Sequence, residues 1–212
     1  MTETPTEKAR STSAERLVVF TDAVAAIAIT LLILPLMESV SEASSSGENF
    51  GDFVHKHVGQ FGAFALSFAV IFRLWWAHHE LFRHINRLDI VVVRWSMLWT
   101  FAIVLLPVPT ALITAYPPSK GTVALYGGAL CLASGSLMML GWHGRRHPEL
   151  AGDATPVRRE QVLASAGAFV AEVAATVIGS LFAGRVNFWA FLLLFLTAPI
   201  QNAIKSRWPE KD

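Results

Sequence analysis

The stretch Arg16-Leu-Val-Val-Phe20-Thr21-Asp22-Ala-Val-Ala-Ala-Ile27-Ala-Ile-Thr30-Leu31-Leu-Ile-Leu34-Pro35 decides the class of this chain. After Arg16 it holds one charge, Asp22, and is otherwise apolar or hydroxylic. About 20 such residues, at 1.5 Å of helix each, cross the roughly 30 Å hydrocarbon core of a bilayer. Ile27, Thr30, Leu31 and Leu34 fall at i, i+3, i+4 and i+7, which is one stripe on one helical face. Ala23 and Ala26 lie near the same face, one turn earlier. A symmetric assembly with this stripe at its axis would have wide access lined by small residues. Beyond that access would come a bulky apolar constriction with one ring of hydroxyls. Apolar constrictions gate pores, and oxygen rings replace hydration water around ions. An apolar stripe at this spacing is also the ordinary mark of helix packing, so the stripe alone does not establish a pore.

The rest of the chain extends the membrane reading. Of its 212 residues, 53% are apolar and only 16% charged, against about 25% charged in soluble domains. Six segments have the length and apolarity of spans, at about 17–37, 58–76, 90–111, 123–142, 161–183 and 188–204. The fold expected is all-α, a polytopic membrane protein of six transmembrane helices. The fifth segment is rich in Ala, Gly and Ser, which suits close helix packing. Lys8, Arg10, Arg16, Arg83, Arg87, Arg145, Arg146, Arg158, Arg159, Lys205, Arg207 and Lys211 fall on one side of this plan, and only Lys56, Lys120 and Arg185 on the other. The positive-inside rule therefore places both termini in the cytoplasm. Trp75, Trp76, Trp142, Trp189 and Trp208 lie near span ends, as interfacial aromatics do, whereas Trp95 and Trp99 are deeper and read as packing residues. Residues 1–15 are polar and are expected to form a disordered cytoplasmic segment, without the apolar core and cleavage site of a signal peptide. Residues 16–208 form the six-helix domain, and 209–212 a tail. The acidic and Ser-rich residues 38–56 read as a flexible external loop. No internal repeat is present to suggest a repeat-built transporter.

Charges inside spans are costly, at least about 2.5–3.5 kcal/mol on insertion scales. Asp22 lies five residues, about 8 Å, into the first span. Arg73 lies near the inner end of the second and Arg94 near the start of the third. All three occupy the inner third of the membrane. They are expected to neutralise one another as an ionic lock that orients helices, with His78 and His79 just below, the alternative being an ion site or proton relay. Glu172, near the middle of the fifth span, is expected to face the bundle. The run His78-His79-Glu80-Leu81-Phe82-Arg83-His84 puts histidines at i and i+5, which misses the i, i+4 spacing of zinc peptidase helices. No nucleophile elbow, phosphate loop or paired cysteine motif occurs, and Cys131, the one cysteine, reads as a packing residue. An enzyme is not indicated, nor is a metal or other cofactor. A net charge of +1 implies no nucleic-acid surface. An Arg-rich voltage-sensor helix is absent.

Three motifs resemble one family. Arg16-x-x-x-Phe20-Thr21-Asp22 resembles the Arg-x-x-x-Phe-Ser-Asp signature that opens the first helix of the transmembrane protein 175 family, the lysosomal and prokaryotic potassium channels. Thr21 keeps the hydroxyl of the family's Ser, and Pro35 fits the same helix. Trp75-Trp76-Ala-His78-His79-Glu-Leu-Phe82-x-x-Ile85-x-Arg87-x-Asp89 is similar to the family's junction between helices two and three. Leu106-Pro107-Val-Pro109-Thr110 is similar to its Leu-Pro-Phe-Pro-Thr close of helix three. Ser96 stands where the family pattern has Asn, and Arg94 is unusual there. The resemblance covers roughly residues 12–115. It implies a potassium-permeable, cation-selective leak channel of the cell membrane. This would be a homotetramer embedded in lipid, with four first helices around the pore and potassium as the permeant ion. It also implies that Ile27, Leu31 and Leu34 form the constriction in place of a carbonyl filter, and that Thr30 contributes to cation preference. The inner polar network it implies comprises Arg16, Phe20, Thr21, Asp22, Arg73, His78, His79, Asp89 and Arg94. The alternatives are a proton-conducting or weakly selective channel of the same fold, a metal-dependent membrane enzyme built on the histidine cluster, and a helical scaffold without transport.

Overall fold

Apolar runs of membrane-spanning length dictate helices, because lipid leaves no other partner for backbone N–H and C=O groups. The computed structural model describes residues 5–117 and 119–181, with side chains from residue 13 onward. In chain order the helices are α1 (Pro5–Leu31), α2 (Leu34–Ser46), α3 (Phe50–Phe82), α4 (Ile90–Leu105), α5 (Pro107–Ala115), α6 (Lys120–Arg146) and α7 (Arg159–Leu181), with a short 3-10 turn at Pro148–Ala151 before α7. They make five stretches long and apolar enough to cross a membrane: Ser13–Ser46, Phe50–Phe82, Ile90–Ala115, Lys120–Arg146 and Arg159–Leu181. These correspond to the first five expected spans. The sixth, at 188–204, lies outside the described residues, as do Arg185, Trp189, Lys205, Arg207, Trp208, Lys211 and the tail 209–212.

The helices run further than expected at two places. α1 begins at Pro5, whereas disorder was expected over 1–15. Proline suits a first helical turn, and a helix nucleated by the apolar run extends backward at one hydrogen bond per residue. The expected flexible loop at 38–56 is instead a helical hairpin. α2 runs to Ser46, Gly47 reverses the chain at φ 70°, and Asn49 caps α3 by accepting from the Asp52 amide at 3.0 Å. Gly47 adopts the left-handed region that favours glycine at a helix C-terminus. Ser39, Ser45 and Ser46 turn their hydroxyls back onto carbonyls of their own helix, so this serine-rich run stays helical.

Prolines break two of the spans. Pro35 has no N–H for the Leu31 carbonyl, so α1 stops at Leu31 and α2 restarts at Leu34. Pro107 and Pro109 likewise separate α5 from α4. α6 is the central post and packs against α3, α4, α5 and α7. Its small residues permit close approach: a Cβ on Gly127 would overlap Thr176 of α7, and one on Gly179 of α7 would press on Val123 at 3.1 Å. This is the close packing expected of the fifth span. Trp99, Ala102, Ile103, Tyr126, Leu130 and Leu140 form the middle of the core between α4 and α6.

Candidate functional site

α1 has two unlike faces. Ala25, Ala28 and Leu32 are buried, in a helix that packs against α3, α4 and α5. Ala23, Ala26, Ile27, Thr30, Leu31 and Leu34 are exposed, with Ile27 at 58%, Leu31 at 40% and Leu34 at 51%. The expected stripe therefore lies together on the uncovered side of the first span, although Leu34 sits beyond the break and not on a continuous helix. The Thr30 hydroxyl donates to the Ile27 carbonyl at 2.8 Å. With its proton committed there, it presents only oxygen lone pairs outward. Arg16 and Phe20, at the inner end of α1, are also exposed.

The inner charges pair differently from the expected lock. Asp22 accepts from the Trp75 indole N–H at 2.8 Å and faces His79 Nδ1 at 3.6 Å. It thereby ties α1 to α3 without either arginine. Arg73 instead reaches Glu172 on α7 at 3.4 Å, and Ser134 on α6 donates to the same carboxylate. Glu172 is buried, as expected, and is the partner that Arg73 takes in place of Asp22. Arg94 is exposed and has no polar partner among the described residues. The reason is angular. Residues three or four apart share a helix face, so Arg73 points away from Trp75 and toward α6 and α7, while Arg94 follows the uncovered stripe of Ile90, Met97 and Phe101.

The remaining network residues are dispersed. Thr21 is buried and donates to its own helix at the Val18 carbonyl, 2.9 Å away. His78 is fully buried and stacks on Trp99 with ring centroids 4.0 Å apart, with no hydrogen bond to either ring nitrogen among the described residues. Asp89 caps α4 through the Val92 amide at 2.7 Å and meets His143 of α6 at 2.6 Å. Burial alone would raise the Asp89 carboxyl; the Val92 amide and His143 outweigh it and hold the group below its ordinary value. Trp75, Glu172 and Asp89 were visible in the sequence as motif or in-span residues. The partners Ser134 and His143 were not, since single residues on a distant helix carry no spacing signal. A buried hydroxyl chain was also missed, in which Thr110 donates to Ser67 at 3.0 Å and Ser67 meets Tyr126 at 3.3 Å. No group of three metal-ligating side chains occurs among the described residues.

Residues 16–107 match the family model described as endosomal/lysosomal potassium channel TMEM175. A potassium channel of Chamaesiphon minutus is 32% identical over 123 residues, which are 53% of this chain and 57% of that protein. The chain thus aligns with just over half the length of that relative. The endosomal/lysosomal proton channel TMEM175 of Bos taurus is 42% identical over 80 residues, 35% of this chain and 17% of that one. The crystal structure of a lysosomal potassium-selective channel TMEM175 homolog from Chamaesiphon minutus superposes with a TM-score of 0.63 at 25% identity, over 90% of this chain and 99% of that one. This is a family of ion channels and not of enzymes. Over residues 16–107, and in its multi-pass helical fold, the chain is similar to the TMEM175 family.

Proposed function

We propose that four copies of this chain form a potassium-permeable, cation-selective leak channel in the cell membrane. In this reading both termini are cytoplasmic, and the uncovered face of α1 from each copy surrounds the pore. The observation that carries it is that face: Ile27, Thr30, Leu31 and Leu34 stand exposed together on a span whose opposite side is packed. The family match over the same residues supports an ion path and not merely a lipid contact. Ala23 and Ala26 line wide inner access, and Ile27 is the first bulky ring above it. The three apolar rings of Ile27, Leu31 and Leu34 dewet a narrow pore and so raise the barrier to a hydrated ion. Potassium loses its water more readily than sodium. Four Thr30 oxygens, each with its proton turned to a carbonyl, offer acceptors to a partly dehydrated cation without any carbonyl filter. The other uncovered apolar side chains, among them Phe101, Val170 and Val177, face lipid.

The test is cation flux in liposomes. Ile27→Asn hydrates the lowest ring and raises flux severalfold. Thr30→Val keeps the shape, removes the oxygen, and lowers the potassium-to-sodium ratio measured from reversal potentials under bi-ionic conditions. Unchanged flux in folded, tetrameric Ile27→Asn protein refutes the gate. An unchanged ratio in Thr30→Val leaves selection to the apolar rings alone. A second reading, a proton-conducting pore of the same fold, is favoured by the Bos taurus relative's name. A pH-sensitive dye trapped in the same liposomes separates the two.

A further inference from the structure

The first span is broken inside its uncovered stripe, and a residue of another helix holds the break. Because Pro35 ends α1 at Leu31, Leu34 lies on the far side of a turn from Ile27, Thr30 and Leu31. A continuous helix would set the place of Leu34 by its own hydrogen bonds. Here that place depends on the angle between α1 and α2, which an interrupted backbone ladder fixes poorly. Gln60 of α3 reaches this point. Its Nε2 donates to the Pro35 carbonyl at 3.0 Å, and its Oε1 lies 3.0 Å from both Ser39 Oγ and His57 Nδ1. Ser39 Oγ lies 3.0 Å from the Pro35 carbonyl as well, so its one proton is shared between that carbonyl and Gln60. Beside the break is a small cavity whose lining includes Leu32, Pro35, Leu36, Gln60 and Phe64. A gap in the packing thus lies beside the break, and the Gln60 amide is a directional contact that ties the start of α2 to α3 there.

We propose that Gln60 is a positioning residue for the pore. It fixes the angle at Pro35, and through that angle the place of the Leu34 ring and the ion selectivity that ring confers. This rests on the reading of the uncovered α1 face as the pore wall. The full-length tetramer in liposomes, with bi-ionic reversal potentials as readout, tests both layers. Leu34→Ala lowers the potassium-to-sodium ratio about threefold or more. Gln60→Leu, which keeps most of the volume and removes the amide, lowers it comparably. The double variant is no worse than Leu34→Ala alone, because a displaced ring and an absent ring are equivalent. Ser39→Ala, which leaves the Gln60 to Pro35 bond in place, keeps the unmodified ratio. Gln60→Met serves where Gln60→Leu yields no tetramer. If Leu34→Ala changes the ratio while tetrameric Gln60→Leu and Gln60→Met do not, the inference is wrong and the pore reading stands. If the two losses multiply in the double variant, Gln60 does not act through Leu34. If Leu34→Ala itself leaves the ratio unchanged, the pore reading falls, and this inference with it.

Discussion

Removing Arg73 should destabilise the fold more than removing its partner, and removing both should restore part of the loss. The two side chains differ in surroundings: Glu172 is 1% exposed and Arg73 29%. At an effective dielectric constant near 20, opposite charges about 4 Å apart attract by roughly 4 kcal/mol. Removing one member of a buried pair costs about 3–5 kcal/mol, because the other is left uncompensated. Arg73→Met leaves the Glu172 carboxylate enclosed with Ser134 as its remaining donor, so the full cost applies. Glu172→Gln leaves a guanidinium that is already part-exposed and that can extend toward polar surroundings on its long stem. It also keeps an acceptor for Ser134, so the loss is nearer the worth of one charge-assisted hydrogen bond, about 1.5–3 kcal/mol. Thermal unfolding of the purified channel reads the difference. At about 2–4 °C per kcal/mol for a chain of this size, Arg73→Met lowers the midpoint by roughly 6–20 °C. The double variant Arg73→Met with Glu172→Gln unfolds above Arg73→Met alone, because the stranded charge is gone. A double variant at or below the sum of the two single losses refutes the pairing, as does an Arg73→Met midpoint equal to that of the unmodified protein.

Two further outcomes follow from the inner contacts. Trp75→Phe keeps the ring and deletes the indole donor to Asp22, at a cost of about 1.5–3 kcal/mol. Asp22→Ala adds little to it when the two are combined, and thermal melts of the set measure this; a stable Asp22→Ala tetramer with altered selectivity would instead put Asp22 in the ion path. Asp89 is held below its ordinary pKa, so its contribution is present above its unfolded value near pH 3.9 and is lost as pH falls through the lower folded value. Asp89→Asn keeps the helix cap but loses the charge facing His143, at a cost of about 0.5–1.5 kcal/mol. Melts should show a gap between the two proteins that closes as the pH falls below about 4 and the carboxylate takes up its proton; a gap undiminished well below that pH rules this assignment out.

The membrane class and the first five spans were legible in the chain because hydrocarbon imposes a local demand, about 20 apolar residues with an internally bonded backbone, which any window of sequence satisfies or fails by itself. The stripe Ile27, Thr30, Leu31 and Leu34 was legible for the same reason, since helical period depends only on spacing. So was Pro35, although the consequence of its missing N–H, a span split between Leu31 and Leu34, went unread. Depth along a span could also be counted for Asp22, Arg73 and Arg94. Direction around the axis, between helices far apart in sequence, could not. That angle gave Asp22 to Trp75, Arg73 to Glu172 and Arg94 to the uncovered side. Sequence by itself determined which segments are long and apolar enough to cross a bilayer and which residues share a face of the first one. Only the tertiary structure decided which polar groups meet, because a hydrogen bond or ion pair between distant helices depends on their relative rotation. That rotation is set by how all the helices pack on one another, and no local pattern in the chain encodes it.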